Sequence, residues 1–432
     1  MKRDSLPDHA MQDRGVLRFL TCGSVDDGKS TLIGRLLFDT KALLTDTLDT
    51  LQRSSEKRGL SAPDLALLTD GLTAEREQGI TIDVAYRYFS TAKRKFIIAD
   101  APGHEQYTRN MVTAASTADV AILLIDARKG ILPQTRRHAS LAALLGINQL
   151  ILAVNKMDLV DYDPNRFQAI ETEFRAWLAQ HPELAIGAVH AVPLSALAGD
   201  MVVERGARLN WYTGPTLVEL LESADDAQTA QLDPNEPLRF PVQWVCRPSA
   251  NEPRGYAGRI EAGRLSVGDE IVVLPSGARS RITRINLGPE TLDSAHAGQS
   301  VMVSLADEID ISRGDMWVQA ADPVQPRAQF SATLCWFDTT ALAPARSYLL
   351  RQSTRTVKTR VSSIDGKLDL QRLAWEPLAA GANVGLNDIV RVSLKTQQPL
   401  VADPYRRERT TGCFILIDEA NNNTVAAGVI EG

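Results

Sequence analysis

Short apolar runs alternate with amphipathic segments between residue 16 and about residue 221. This alternation is typical of βαβ units, in which helices connect the parallel strands of a sheet and cover its faces. The runs at residues 120–125 and 150–154 are uniformly apolar and short, so they predict buried strands. Because they fall far short of the ~20 residues that a membrane span needs, no membrane partner is expected.

The helical patterning stops near residues 231–237, a polar segment that contains proline. Beyond it, short runs rich in Val and Ile are separated by turn signals, a pattern that predicts a small all-β barrel. A second break at residues 321–326 opens another strand-rich stretch. We therefore expect an α/β domain at residues 1–230, with a mostly parallel sheet and helices on both faces, followed by all-β barrel domains at 236–325 and 326–432.

Four apolar runs of the first domain end in polar residues. These ends lie at Ser24, Asp100, Asp126 and Asn155. In open α/β sheets ligands bind beyond the carboxyl ends of the strands, so the four ends are expected to meet in one crevice. Their convergence predicts a single binding site.

The first of these ends carries a phosphate-binding pattern, GxxxxGK[ST], between a predicted strand and a predicted helix. Glycines let successive N–H groups turn toward phosphate oxygens, and the helix N-terminus adds its positive end. Lys29 is expected to reach the β- and γ-phosphates, and the Ser30 hydroxyl to ligate Mg²⁺. The residues expected to contact nucleotide here are Gly23, Ser24, Val25, Asp26, Asp27, Gly28, Lys29, Ser30 and Thr31.

The second end reads Asp100-Ala101-Pro102-Gly103. After a phosphate-binding loop it predicts a nucleotide-sensing switch, with Asp100 as the acidic partner of the metal and Gly103 offering its N–H to a γ-phosphate. Without that loop, the same four residues are an ordinary turn.

The motif Asn155-Lys156-Met157-Asp158 predicts which base is bound. A carboxylate at Asp158 can accept hydrogen bonds from the ring N–H and the amino group of guanine, whereas adenine offers neither there. Ser195 and Ala196 follow an apolar run and are expected to add a backbone N–H for the guanine carbonyl. On their own, they could be a plain exit from a strand. GTP is therefore the expected nucleotide, with Mg²⁺.

Together these motifs resemble the translational GTPases typified by elongation factors: a P-loop GTPase domain followed by two β domains. By position, Thr81 resembles the switch threonine that binds Mg²⁺ and the γ-phosphate. His104 resembles the histidine that positions the attacking water, and Val25 and Ile80 resemble the apolar gate beside it. Leu197 completes the Ser-Ala-Leu motif of the base site. A half-exposed loop histidine is the alternative interpretation of His104.

Three longer strings, at residues 23–37, 70–89 and 100–116, closely resemble the large GTPase subunits of bacterial sulfate adenylyltransferases. The resemblance implies a GTPase that drives the formation of adenylyl sulfate and pyrophosphate from ATP and sulfate. The sequence has neither an SGGxDS-like loop nor an HxGH signature. The residues that transfer the adenylyl group are therefore expected in a small catalytic partner subunit.

Charge and cysteine content narrow the alternatives. Lys and Arg total 47 against 53 Asp and Glu, for a net charge of −6, so no basic field favours nucleic acid. The cysteines are scattered without CxxC pairs, which predicts a cytoplasmic location and no structural zinc. The competing functions are an elongation factor that carries aminoacyl-tRNA and a nucleotide-gated assembly protein. The acidic balance, and Ser24 and Asp27 where elongation factors carry P-loop histidines, count against the first.

Overall fold

The computed structural model describes residues 15–42, 65, 84–101, 108–225, 236–247, 253–370, 372–378 and 383–432. The chain divides into two compact units, Met1–Asp226 and Ala227–Gly432. In the first unit the described strands alternate with helices, whereas the described elements of the second unit are all strands. The expected fold class is therefore confirmed. The division of the second unit into two domains near residue 326 stays a prediction.

The first unit contains a single described sheet with helices between its strands. Its strands are β1 (Val16–Gly23), β2 (Ala85–Ser90), β3 (Lys95–Asp100), β4 (Val120–Asp126), β5 (Gln149–Asn155) and β6 (Ala188–Pro193). Its described helices are α1 (Lys29–Asp39), α2 (Thr108–Ala115), α3 (Pro133–Leu144), α4 (Pro164–Ala179) and α5 (Leu217–Ser223). The order is β2-β3-β1-β4-β5-β6, and every pairing is parallel except β2 with β3.

The apolar runs become the central strands because both faces of the sheet are covered. Every residue of β4 is buried, as its uniformly apolar sequence predicts. On one face, the ring of Phe19 meets those of Phe89 and Phe96 edge-on, at 6.2 and 6.4 Å between ring centroids. Parallel strands point their carboxyl ends the same way, so β1, β3, β4 and β5 end at the same edge of the sheet.

Two helices of the first unit begin at side-chain caps that the sequence encodes locally. At α5, Thr216 Oγ1 accepts from the Glu219 N–H at 3.2 Å, and Glu219 Oε2 accepts from the Thr216 N–H at 2.7 Å. This reciprocal pair is a capping box. At α4, the Asp163 carboxylate accepts from the Asn165 N–H at 2.9 Å, and Pro164 occupies the first helical position.

A histidine is buried on α3, the helix that packs against β1 and β4. His138 is 2% exposed, and its Nε2 lies 2.9 Å from Gln134 Nε2. Burial, together with the positive charges of Lys29 and Arg137, lowers the pKa of His138 to about 3. The folded chain therefore holds this imidazole neutral.

The strands of the second unit fall into two groups. The first group is β7 (Phe240–Pro241), β8 (Trp244–Cys246), β9 (Gly255–Arg259), β10 (Arg264–Ser266), β11 (Glu270–Leu274), β12 (Ala278–Leu287), β13 (Glu290–Leu292), β14 (Ser294–His296), β15 (Ser300–Leu305) and β16 (Met316–Gln319). The second is β17 (Arg327–Trp336), β18 (Tyr348–Gln352), β19 (Arg355–Asp369), β20 (Ala374–Glu376), β21 (Ile389–Leu400), β22 (Cys413–Asp418) and β23 (Thr424–Ile430).

Both groups curve around their own apolar cores. In the first group the main sheet runs β7-β16-β11-β12-β15-β9-β8, and Trp317 lies fully buried against Phe240 and Tyr256. In the second, β18 pairs with β22 at one end of the sheet order and with β19 near the other, which closes a barrel around Trp336 and Tyr348. Closure leaves few unpaired strand edges. No helix within the described residues is long and apolar enough to span a membrane.

A buried arginine connects the two groups of strands. Arg239 is 3% exposed, and its Nε and Nη2 donate to the two carboxylate oxygens of Asp403 at 2.8 Å each. Its Nη1 donates to Asp322 Oδ2 at 2.6 Å. Thr411 Oγ1 adds a bond to Asp403 at 2.6 Å. These bonds satisfy charges that would be costly to bury alone.

We expect Arg239→Met to lower the free energy of unfolding by about 3–5 kcal/mol, because it leaves two buried carboxylates without their cation. Urea unfolding of the full chain measures the loss. The control is Arg372→Met, which removes an exposed pair with Glu376 at 3.4 Å and should cost less than about 1 kcal/mol. Equal losses in the two variants would contradict the role given to Arg239.

We expect stability to fall as the pH drops below about 6.5, the ordinary pKa of histidine, because the unfolded chain then binds a proton that folded His138 refuses. The loss is absent above that pH and reaches about 2 kcal/mol at about pH 5. Comparing the unfolding of the full chain with that of His138→Gln measures it, since the variant should lose less stability on acidification. Replacing exposed His190 by Gln is the control, and a slope unchanged in His138→Gln would refute the assignment.

Candidate functional site

The loop between β1 and α1 turns tightly at the edge of the sheet. Asp26 and Gly28 both adopt left-handed backbone conformations, with φ of 65° and 94°. A Cβ atom on Gly28 would clash with the side-chain nitrogen of Asn155, so only glycine fits both the conformation and the space. Helix α1 then begins at Lys29, and its first N–H groups face the crevice.

Lys29 is folded back over this loop. Its side chain is 8% exposed, and Nζ donates to the carbonyl oxygens of Gly23 at 2.9 Å and Ser24 at 3.0 Å. Burial lowers the pKa of Lys29, while the carboxylates of Asp100 and Asp27 act in the opposite direction. An ammonium group thus lies inside the loop, beside carbonyls that an anionic ligand can displace.

Asp27 closes the loop from within. Its Oδ2 accepts from the Ser24 N–H at 2.6 Å, and the residue is 1% exposed. Burial raises the pKa of Asp27 to about 6, although the Ser24 hydrogen bond and Lys29 oppose the rise. This short bond holds the loop in its turn.

Asp100 ends β3 directly beside the loop. The register of β1 and β3 pairs it with Thr21, whose Oγ1 donates to Asp100 Oδ1 at 3.3 Å. Asp100 is 2% exposed and Ala101 is fully buried. The other residues predicted for this switch, and those predicted for the switch that contains Thr81, lie outside the described residues; they are Ile80, Thr81, Pro102, Gly103 and His104.

Asn155 connects three loops. Its Nδ2 donates to the Asp27 carbonyl at 2.8 Å, and its Oδ1 accepts from the Ala196 N–H at 2.9 Å. The neighbouring Lys156 donates from Nζ to the Asp26 carbonyl. Met157 is fully buried, and its N–H donates to the Leu194 carbonyl at 3.2 Å. These contacts hold the NKxD motif against the phosphate-binding loop.

The Asp158 carboxylate is half-buried at this junction. Ser195 Oγ donates to Asp158 Oδ1 at 2.6 Å, and the Ala198 N–H donates to Ser195 Oγ at 3.2 Å. The Leu197 side chain is 70% exposed, so only its backbone is anchored. Because a carboxylate oxygen accepts more than one hydrogen bond, Asp158 keeps acceptor capacity for a ligand.

The structure therefore brings together every described residue of the predicted site, from the phosphate-binding loop to Leu197. It also adds Asp126, which the sequence named only as the end of an apolar run, and Arg35, which the sequence did not single out. Asp126 receives Lys156 Nζ at 3.1 Å, and Arg35 of α1 donates to the carbonyls of Ala196 at 3.2 Å and Leu197 at 2.6 Å. Asp126 carried a signal, since it ends an apolar run, whereas nothing in the sequence distinguished Arg35.

Family models match most of the chain. The elongation factor Tu GTP binding domain matches residues 14–229, and the GTP-eEF1A C-terminal domain-like family matches residues 329–431. Among solved structures, one of sup35 complexed with GDP aligns over the whole chain and 97% of its own length, at 24% identity. Its TM-score of 0.43 is too low to support further argument.

Curated relatives are about 50% identical to this chain over the aligned residues. The sulfate adenylyltransferase subunit 1 of Aeromonas hydrophila is 50% identical over 98% of the chain and 87% of that protein. That of Saccharophagus degradans is also 50% identical, over 97% and 87%. The bifunctional enzyme CysN/CysC of Mycobacterium tuberculosis is 51% identical, over 96% of this chain and 67% of the relative. The chain belongs to the sulfate adenylyltransferase subunit 1 family, within the elongation factor Tu-type GTPases.

Proposed function

We propose that this chain is the GTP-hydrolysing, energy-coupling subunit of a sulfate adenylyltransferase. The observation that carries the proposal is 50% identity, over 98% of the chain, to a protein named as subunit 1 of that enzyme. Hydrolysis of GTP would drive the otherwise unfavourable formation of adenylyl sulfate and pyrophosphate from ATP and sulfate. The adenylyl transfer itself belongs to a small catalytic subunit, and we place the complex in the cytoplasm.

The phosphates of GTP belong at the loop between β1 and α1. Residues 23–31 offer backbone N–H groups and the start of α1 to the β- and γ-phosphates. Lys29 Nζ, which now donates to the Gly23 and Ser24 carbonyls, would turn to the phosphate oxygens. An exchange of carbonyl for phosphate partners strengthens these bonds, because both donor and acceptor are then charged.

We assign Mg²⁺ to Ser30, Thr81 and Asp100. The donors fit this ion, which prefers oxygen ligands and keeps several of its waters. Asp100 is buried beside the loop and accepts a hydrogen bond from Thr21, which fixes the orientation of its carboxylate. Bound Mg²⁺ would neutralise charge on the phosphates as the terminal bond breaks.

We assign the attacking water to His104, with Val25 and Ile80 as an apolar gate beside it and the Gly103 N–H at the γ-phosphate. Val25 is half-buried in the loop, and the other three residues lie outside the described part of the chain. A histidine can orient water through a ring nitrogen, and apolar neighbours exclude stray water until the switch closes.

Guanine belongs between the NKxD and Ser-Ala-Leu loops. Asp158 would accept from the ring N–H and the amino group, with its Oδ1 oriented by the Ser195 hydroxyl at 2.6 Å. The turn at Ser195 and Ala196 would add a backbone N–H for the guanine carbonyl. The Ala196 N–H donates to Asn155 Oδ1 at 2.9 Å, and it would exchange that acceptor for the carbonyl when the base binds. The aliphatic part of Lys156 lies along the edge of the phosphate-binding loop, where its Cε would be 3.8 Å from a Cβ atom placed on Gly28.

The coupling test measures GTP hydrolysis by the full chain, with and without the small catalytic subunit, while pyrophosphate release from ATP and sulfate is followed. We expect the subunit to stimulate hydrolysis and product to accumulate past the GTP-free equilibrium, because hydrolysis supplies the missing free energy. Lys29→Ala should abolish GTP binding and stimulation but spare the slow basal chemistry of the partner, whereas Lys93→Ala at an exposed lysine should change neither.

Hydrolysis that ignores the partner, ATP and sulfate would refute the coupling role. It would favour the alternative function, an elongation-factor-like GTPase that carries aminoacyl-tRNA. Stimulation that survives Lys29→Ala would instead refute the assignment of the phosphate-binding loop.

The base assignment is tested with Asp158→Asn. The amide of the variant donates where guanine also donates, but xanthine offers a carbonyl acceptor there, so preference should shift toward xanthine nucleotides by at least about a hundredfold. Competition between GTP and xanthosine triphosphate for the full chain measures the shift. The control is Asp161→Asn, an exposed left-handed position that asparagine accepts. A variant that still prefers GTP would remove Asp158 from the base site.

A further inference from the structure

Asp126 ends β4 as a buried junction between loops. The residue is 1% exposed, and its carboxylate makes four close contacts with cationic residues. Three come from Arg128: its backbone N–H at 2.9 Å, its Nε at 3.0 Å and its Nη2 at 2.6 Å. The fourth is an ion pair with Lys156, whose Nζ lies 3.1 Å from Asp126 Oδ2. A carboxylate so completely engaged by cations is held in one orientation.

The pairing with Lys156 follows from the register of the sheet. Asp126 lies directly opposite Asn155 in the parallel pairing of β4 and β5, so the residue after Asn155 emerges beside the Asp126 carboxylate. Lys156 has a left-handed backbone, with φ of 62°, and its Nζ also donates to the Asp26 carbonyl. One ammonium group therefore joins the end of β4, the NKxD loop and the phosphate-binding loop.

The charge of Asp126 is retained despite its burial. Burial alone would raise the pKa of this carboxyl, but the hydrogen bonds from Arg128 and Lys156 hold it below the usual range. Asp126 thus supplies the fixed negative charge that keeps a 22% exposed Lys156 side chain folded inward. Without it, the ammonium loses its ion pair and gains by extending into water.

We propose that Asp126 is a positioning residue for guanine nucleotides, acting through Lys156 to hold the base-binding and phosphate-binding loops together. The inference rests on the proposed GTP site, because only there do these two loops share one ligand. Asp126 touches neither base nor phosphate in this assignment. Its loss should therefore speed the release of GDP and GTP alike and leave hydrolysis of bound GTP unchanged.

The first test is the rate at which a fluorescent GDP analogue leaves the full chain carrying Asp126→Asn. We expect release to be about tenfold faster, and likewise for a non-hydrolysable GTP analogue, a factor that corresponds to about 1.4 kcal/mol. Single-turnover hydrolysis at saturating GTP should stay within about twofold of the original chain. Unchanged release, or an equal loss in the hydrolysis step, would overturn the proposal.

The matched control is Asp119→Asn, just before the opposite end of the same strand. Asp119 is 5% exposed and accepts from the Arg18 N–H at 2.8 Å, so it is also a buried carboxylate anchored to the sheet. General loosening of the sheet would speed release in this variant too and would count against a specific role.

Asp126→Glu is the second variant, for use if Asp126→Asn does not fold. It keeps the charge but displaces it, so release should be faster than from the original chain but by less than about tenfold. A Glu variant with the original rate would overturn the proposal.

A double-mutant cycle separates action through Lys156 from independent effects. If Asp126 acts through Lys156, adding Asp126→Asn to Lys156→Met should accelerate release little beyond the single Lys156 change. Accelerations that multiply would overturn the proposed route. The Asp158→Asn test is independent of this cycle: if it shifts base preference while Asp126→Asn changes nothing, the positioning role fails and the guanine site stands.

Discussion

The amide of Asn155 is the interaction on which the site depends. It donates to the backbone of one loop and accepts from the backbone of another, so a single side chain sets the distance between the two loops to which we assign phosphate and base. That geometry also forces glycine at residue 28, because the amide occupies the space of any Cβ there. Buried and bonded on both sides, the amide leaves the loops little freedom to separate.

Several charged side chains are buried around that amide in the first unit, where removing a charge from water is energetically costly. Lys29, Asp27, Asp100 and Asp126 are each less than a tenth exposed. Their hydrogen bonds offset the cost of desolvation, and each bond also fixes a donor or acceptor direction. Lys29 and Asp27 have pKa values shifted in opposite directions by the same burial. Perturbed pKa values of buried groups cluster at functional sites.

The second unit uses buried charge for a different purpose. Arg239 joins one group of strands to the other through Asp403, and it also binds Asp322 in the segment that connects the two groups. Few other ionic contacts within the described residues are buried to a comparable degree. A bidentate arginine pair requires definite orientation from both partners. It therefore specifies how the strand groups pack, where apolar contacts alone would tolerate sliding.

Local sequence determined much of this protein. Uniform apolar runs predicted buried strands, which the structure contains. Glycine and lysine spacing predicted a phosphate-binding loop, and the Asn155–Asp158 motif predicted guanine. Each of these predictions depends on neighbouring residues only. Tertiary structure decided the rest. Asp126 meets Lys156 because β4 and β5 are neighbours in register, and Arg35 reaches Ala196 because α1 packs beside that loop. Contacts between residues far apart in sequence leave no periodic signal, because they depend on strand order and register, which only the folded chain establishes.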